Sequence, residues 1–330
     1  MPTNRRIVLA SRPQGEASTV NFRLETVDLP PLADGQVLVR NHWLSLDPYM
    51  RGRMNDARSY ASPQALNEAM VGGTAGVIAE SRNPRFSVGD AVVGGFGWQE
   101  YGISDGAALR KVDTSIPLSA YLGAVGMPGV TAWYGLNRII EPKSGETVVV
   151  SAASGAVGGV VGQLAKAAGC RAVGIAGGAE KCRYVVDELK FDACIDYKSE
   201  DVGKRLDAVC AGGIDGYFEN VGGAILNAVL PRMNAHGRIA LCGLIASYDG
   251  APIPLENPSW FLLSRLKVQG FIISEHMDVW PQALPQLGKG VATGAIRYRE
   301  TIAQGLENAP TAFLGLLRGK NFGKQLVKLI

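Results

Sequence analysis

Val148-Val149-Val150-Ser151-Ala152-Ala153-Ser154-Gly155-Ala156-Val157-Gly158-Gly159-Val160-Val161-Gly162-Gln163-Leu164-Ala165-Lys166 carries an apolar, β-branched run through small residues into a helical pattern. That order predicts the first strand, tight turn and first helix of a dinucleotide-binding unit. A pyrophosphate requires bare backbone N–H groups and the positive end of a helix. Gly155 lets the backbone approach the phosphates, Gly158 lets the helix pack close to the strand, and Ala156 and Val157 complete the turn between them. The usual G-x-G-x-x-G loses its first glycine to Ala153, so the motif alone is a weak signal. A small-residue contact between a strand and a helix would look similar. The context is more specific: a second strand, Arg171 to Ala176, follows the helix at the spacing of a βαβ unit.

The alternation continues on both sides of this motif. Strands are expected at 147–151, 171–176, 193–196, 215–219, 237–242 and 267–273. Helices are expected at about 130–140, 156–168, 179–190, 200–211, 222–233 and 258–265. This is the pattern of a Rossmann-type α/β fold with a doubly wound parallel sheet. Residues 1 to 124 follow another period. Gln36–His42 alternates apolar and polar residues, Gly72–Glu80 and Asp90–Gly94 read as short strands, and Leu29–Gly35 reads as a turn. Many short strands at close spacing predict a β-barrel-like domain. The expected division is therefore a β domain at 1–124 and a nucleotide domain at 125–298, with 299–330 completing the first. Gln325–Ile330 is the segment expected to return as a strand.

Composition bounds the partners. The 330 residues are 47% apolar and 19% charged, with a net charge of +3, which offers neither nucleic acid nor a membrane surface much to hold. No apolar run is long enough to cross a membrane, and Met1–Arg6 leads into no signal-peptide core, so a cytoplasmic location is expected. The five cysteines, Cys170, Cys182, Cys194, Cys210 and Cys242, form no C-x-x-C and read as free thiols acting as small hydrophobes.

Selection of NAD uses a carboxylate at the end of the second strand, which binds the adenosine 2′-OH. Here that strand ends Ile175-Ala176-Gly177-Gly178, and Lys181 follows. Room at the glycines and a nearby ammonium suit a 2′-phosphate, so NADPH is the expected cofactor. Glu180 is then a helix-start carboxylate facing water, although Lys181 also reads as an ordinary first-turn surface lysine.

Several further segments resemble one family over almost the whole chain. They are Leu44–Arg51, Phe86–Asp90, Gly126–Ala132, Ser151–Lys166, Tyr217–Gly223, Cys242-Gly243 and Asn321–Lys324. Together they are similar to the zinc-independent medium-chain dehydrogenases/reductases, in the branch of prostaglandin, plant alkenal and bacterial curcumin reductases. Asp47-Pro48-Tyr49-Met50-Arg51 is far more specific to that branch than the glycine turn. The resemblance implies a GroES-like domain, a Rossmann domain with a cleft between them, and a homodimer built on the edge strand near 267–273. It implies that Lys181 and Tyr197 grip the 2′-phosphate, and that Asn220, Cys242, Gly243, Tyr248, Phe271, Ile272, Ile273 and Asn321 contact the cofactor. Turn chemistry alone would also account for Tyr197 and Asn220.

The metal ligands of the related alcohol dehydrogenases are missing. No cysteine precedes Cys170 and only His42 lies in the first domain, whereas a catalytic zinc needs three protein ligands. A site without a Lewis acid suits reduction of an activated alkene. Hydride adds to the β-carbon of an enal or enone, and hydrogen-bond donors stabilise the enolate oxygen. A neutral tyrosine can be that donor. Tyr49 and Tyr248 are the candidates, each with a packing role as the alternative. Trp260 and Phe271 are candidates for an apolar wall, and Arg51 and Arg53 read as solvated arginines. A quinone oxidoreductase and a non-catalytic NADPH sensor are the competing functions.

Overall fold

The computed structural model describes residues 3–330. The chain folds as two compact units, one running to Leu122 and completed by Glu300–Ile330, the other spanning Gly123–Arg299.

The first unit begins with β1 (Thr3–Leu9) antiparallel to β2 (Phe22–Asp28), Leu9 opposite Phe22. The alternation reading passes over this pair because arginines and glutamates (Arg5, Arg6, Arg23, Glu25) sit among its apolar positions, where Arg6 and Glu25 pair across the two strands. Strand β3 (Val37–Ser45) is the centre of a larger sheet. It pairs antiparallel with β4 (Thr74–Ser81), and β4 with β5 (Ala91–Gly94). The short strands β6 (Tyr101–Ser104) and β7 (Arg110–Lys111) add to β3 and β5. The Asp47-Pro48 turn after β3 starts a short helix, α1 (Tyr49–Arg53), which buries Met50 and Arg51.

The second unit begins with α2 (Met127–Tyr134), where Pro128 sits in the first turn, as a missing N–H allows. The expected helix over 130–140 changes to a wider π-type turn at Gly135–Ile140, and the ring of Phe218 packs where a Gly135 side chain would be. Six parallel strands follow: β8 (Thr147–Ser151), β9 (Arg171–Ala176), β10 (Ala193–Asp196), β11 (Ile214–Glu219), β12 (Met233–Leu241) and β13 (Lys267–Gly270). Their order is β10-β9-β8-β11-β12-β13. The order reverses between β8 and β11, where a doubly wound sheet opens its ligand crevice at the carboxyl ends of the strands. The connecting helices are α3 (Gly158–Ala167), α4 (Ala179–Asp187), α5 (Val202–Val209), α6 (Gly223–Val229) and α7 (Ser259–Leu263).

Two expectations need correction here. The strand expected over 267–273 stops at Gly270: Phe271 turns inward onto Tyr134 and Phe218, and Ile273 opens a tight 3-10 turn. A helix absent from the expected set, α8 (Trp280–Ala292), buries Ala283 and Leu287. Pro281, Pro285, Gly288 and Gly290 break up its helical signal, but Pro281 sits in the first turn and packing of the apolar side supports the rest.

The chain then re-enters the first unit. Strand β14 (Glu300–Gln304) lies parallel to β15 (Lys324–Lys328), and β15 pairs antiparallel with β3, Val327 opposite Leu44. Between them α9 (Ala309–Leu317) sends Phe313 edge-on against Trp98, which stacks on Phe22. Trp98 is therefore a core residue, with no exposed surface. The second unit has its own core of Val149, Val173, Ile195, Leu206, Tyr217 and Ile239 and their neighbours.

Candidate active site

The glycine turn sits at the carboxyl end of β8, the central strand. Ala152 takes a left-handed conformation at φ 50°, and Gly155 N–H closes the turn onto the Ala152 carbonyl at 2.9 Å. A Cβ on Gly158 would come within 2.5 Å of the Ala152 oxygen, so only glycine allows α3 to start this close to the strand. Among the described residues, the N–H groups of Ala156 and Val157 take no main-chain acceptor. They lie just before the positive end of α3, as a pyrophosphate requires.

A second cluster lies at the ends of β9 and β10. Gly177 is bare, and a Cβ there would meet the Tyr197 ring and hydroxyl at 2.8 Å. Gly178 caps α4 with φ 102° and donates its N–H to Asp196 Oδ1 at 2.7 Å. The same oxygen accepts Lys198 N–H, and Oδ2 accepts the Ser199 hydroxyl. These bonds, the Gly178 one foremost, hold the Asp196 carboxyl below the usual carboxylate range. Burial lowers the affinity of Lys181 for its proton, and the nearby Lys198 ammonium lowers it further. A lysine with a second lysine near it, at strand ends where the Tyr197 hydroxyl covers Gly177, gives a corner whose charge suits a dianion. Lys181 and Tyr197 thus follow the neighbouring strands β9 and β10, and Lys198 is a further charge there that the strand-tip reading omits.

A third group lies beyond β11 and β12. Asn220 donates its side-chain amide to the Ser151 carbonyl and its N–H to the Ser151 hydroxyl, both at 2.8 Å. Its amide is thus used to tie β11 to β8. Glu219, with no exposed surface, accepts bonds from the Ser151 hydroxyl at 2.7 Å, the Tyr217 hydroxyl at 2.8 Å and Val221 N–H at 2.6 Å. Sequence reasoning gave Glu219 no role, and a carboxylate in an apolar strand was the available signal. Cys242 and Gly243 both donate N–H to the Glu219 carbonyl, so their loop is fixed to the turn that carries Asn220. Burial and the Glu219 charge push the Cys242 thiol up to about 12, which keeps it protonated. A Cβ on Gly243 would stand 3.3 Å from the Tyr248 hydroxyl and 3.4 Å from the Asn220 carbonyl, so these three residues meet. Phe271 and Ile273 are buried and Ile272 is half-buried, so what Phe271 and Ile273 offer a ligand is main chain. Trp260 packs beside the second unit's core.

Tyr49 and Asn321 belong to the first unit. Burial, with the Asp47 charge behind it, raises the Tyr49 hydroxyl well above the ordinary tyrosine range, so it is a neutral donor at any physiological pH. Asn321 donates to the Gly323 carbonyl at 2.8 Å. Lys324, buried nearby in the sequence, donates to the Leu46 carbonyl, Asp47 Oδ1 and the Gln325 carbonyl. The Ser45 hydroxyl also bonds Asp47, and the turn that carries Tyr49 is thereby anchored.

Two family models match the chain: an N-terminal domain of oxidoreductase over residues 5–112 and a zinc-binding dehydrogenase domain over 156–289. The residues do not fit the metal that the second name implies, since no three His, Cys, Asp or Glu side chains among the described residues gather closely enough to hold an ion. The chain is 48% identical to an NADPH-dependent curcumin reductase of Escherichia coli, over 99% of this chain and 97% of that one. It is 42% identical to prostaglandin reductase 1 of Rattus norvegicus over 96% of each. A crystal structure of CurA in complex with NADPH from Vibrio vulnificus superposes with a TM-score of 0.94 at 49% identity, covering 99% of both chains. A match of this extent, across both units and their glycine turn, makes the chain an oxidoreductase of the medium-chain dehydrogenase/reductase family, in the branch that holds the curcumin, prostaglandin and 2-alkenal reductases.

Proposed function

We propose that this oxidoreductase reduces the activated carbon–carbon double bond of 2-alkenals and 2-alkenones at the expense of NADPH. When bound, NADPH supplies a hydride for the β-carbon. The chain supplies position, charge and hydrogen bonds. The N–H groups of Ala156, Val157 and Gly158 at the start of α3 receive the pyrophosphate. Lys181, Tyr197 and Lys198 receive the 2′-phosphate, and the loop of Cys242 and Gly243 with Asn220 lines the nicotinamide side. Main chain at Phe271, Ile272 and Ile273, together with Asn321, completes the binding set. A tyrosine hydroxyl donates to the substrate's carbonyl oxygen as negative charge moves onto it, with Tyr248 and Tyr49 as the candidates. Preorganised donors of this kind lower the barrier because they need no reorientation during the reaction.

The observation that carries this reading is the meeting of Gly177, Tyr197, Gly178 and Asp196 at the ends of β9 and β10, in the sheet that also bears the glycine turn, with Lys181 in the first turn of the helix that follows. The exposed face of β13, which pairs only with β12 among the described residues, supports a homodimer through that edge. The decisive experiment mixes the protein with NADPH and a panel of enals, enones and quinones and follows loss of reduced-cofactor absorbance. Turnover of enals and enones is expected. Turnover of quinones alone would replace this reading with a quinone reductase, and tight NADPH binding without turnover of any acceptor would replace it with a sensor.

A further inference from the structure

We infer that Cys182 and Cys194 form an oxidisable dithiol, which closes to a disulfide under a hydroperoxide and weakens the hold on the 2′-phosphate of NADPH. The inference rests on the proposed roles of Lys181 and Tyr197 in that hold. The two sulfurs stand 3.2 Å apart, although twelve residues separate them in the chain. A disulfide bond is about 2.05 Å long, so closure needs a movement of only about an ångström. Cys194 lies on β10 opposite Gly174 of β9. A Cβ on Gly174 would stand 3.3 Å from the Cys194 sulfur, so the bare strand position leaves the sulfur its room.

The chemistry divides naturally between the two thiols. Cys194 donates its S–H to the Cys182 sulfur, which stabilises the Cys182 thiolate, and this outweighs burial and the Asp196 and Glu200 charges that oppose it. Cys182 is therefore the attacking sulfur. Its thiolate displaces alkoxide from the O–O bond of a hydroperoxide, and the alkoxide leaves as the alcohol after taking a proton. The sulfenic acid on Cys182 is then attacked by the Cys194 sulfur, which loses its proton, and water leaves. Two sulfurs are oxidised by two electrons in total, and the peroxide bond is reduced by the same two. Neither residue is fully buried, and its hydrogen bond to Cys182, together with burial, holds the Cys194 thiol well above its ordinary range, which fits its place as the second, resolving sulfur. Cys170 and Cys210 are buried, and burial raises both their thiols.

Closure acts on the corner from both sides. Cys182 directly follows Lys181 in the first turn of α4. Cys194 is two residues before Asp196, whose carboxylate holds Gly178 and the turn of Tyr197 and Lys198. Drawing α4 toward β10 moves the ammonium and the hydroxyl off the spacing that the reduced form gives them.

The test uses the full-length protein, reduced or treated with hydrogen peroxide, with remaining thiols alkylated and the peptides mapped by mass. Affinities for 2′,5′-ADP and 5′-AMP are measured calorimetrically on each form. The expected result is a Cys182–Cys194 disulfide formed ahead of any other pair, with 2′,5′-ADP bound about fivefold or more weaker, 5′-AMP unchanged, and dithiothreitol restoring both. The C194S variant binds 2′,5′-ADP as the reduced protein does and, under peroxide, stops at the Cys182 sulfenic acid without closing to a disulfide. Alkylation of both cysteines after peroxide treatment, or a closed disulfide with unchanged 2′,5′-ADP affinity, would overturn the inference. Reduced protein that binds 2′,5′-ADP no better than 5′-AMP would instead sink the 2′-phosphate corner itself, before any oxidant is added.

Discussion

Gly178 donates its backbone N–H to Asp196 Oδ1 at 2.7 Å, so the carboxylate at the end of β10 points into the backbone of the turn after β9. The tip of β9 is left without an acid, and the acid next to it is consumed by Gly178, Lys198 and Ser199. On the proposed reading, this is how a 2′-phosphate is accommodated beside an aspartate. D196A is expected to raise the KM for NADPH about tenfold, the cost of charge-assisted bonds worth about 1.5–3 kcal/mol being spread over the turn. D196N, which keeps one acceptor, should fall between. Steady-state kinetics with varied NADPH measures both. Because the folded Asp196 binds its proton less tightly than the unfolded residue does, its stabilisation is present above about pH 3.9 and is lost as pH falls through the lower folded value.

Removing either ammonium should cost NADPH more than NADH. K181A and K198A are each expected to raise the KM for NADPH by about tenfold, equivalent to about 1.4 kcal/mol, with little change for NADH. If K198A behaves as wild type, the charge of Lys198 that Lys181 feels serves only the surface.

The sheet and its order were legible because each element carries its own signal. Val148–Val150 is apolar and β-branched, and the small residues after it admit one kind of turn. The pieces that escaped are those set by partners distant in sequence. Helix α8 is broken by prolines and glycines and held by the packing of Ala283 and Leu287. Phe271 reads as strand, yet its ring packs inward onto Tyr134 and Phe218, and β13 ends at Gly270. In the candidate site, Lys181 could be named from its place just past the two glycines at the strand tip, and Tyr197 because a family resemblance pointed to it. Lys198, Asp196 and Glu219 could not, since their roles come from hydrogen bonds and charges across neighbouring strands that no local pattern encodes.

The two glycines of the turn should respond differently to a methyl group. G158A places a Cβ 2.5 Å from the Ala152 carbonyl oxygen, and backbone on both sides cannot yield. It is expected to destabilise the second unit by about 1–3 kcal/mol and to lower NADPH affinity. G155A meets only the Ala152 oxygen, at 3.1 Å, so it should fold nearly normally and lose affinity alone. Thermal unfolding with and without NADPH distinguishes the two.

Tyrosine hydroxyls that stabilise an enolate should be needed for turnover and dispensable for cofactor binding. Y248F and Y49F are each expected to lower kcat for a 2-alkenone, by up to about a hundredfold for the hydroxyl nearer the oxygen. NADPH affinity should stay the same. Since burial keeps the Tyr49 hydroxyl protonated well beyond the ordinary tyrosine range, any loss of rate above pH 9 that vanishes in Y49F would contradict its role as a permanently neutral donor.

Lys324 and Asp47 are both nearly inaccessible, with 3% and 8% of their side chains exposed, and they stand 3.0 Å apart. A pair this deep gains little over an apolar replacement of the same shape, but removing one partner strands the other. K324M should therefore cost about 3–5 kcal/mol in the first unit, because it removes the ion-pair partner of the Asp47 side chain and leaves it the Ser45 hydroxyl among the described residues. Adding D47N to K324M should recover much of that stability in denaturant unfolding. It should not recover activity. The three bonds from Lys324 also fix the Leu46 carbonyl and the Pro48 turn, and Tyr49 starts α1 from that turn. A double variant that unfolds like wild type but reduces enones slowly, with the KM for NADPH unchanged, would show that the buried pair sets the position of the Tyr49 hydroxyl. Full recovery of rate would leave the pair a stability element only.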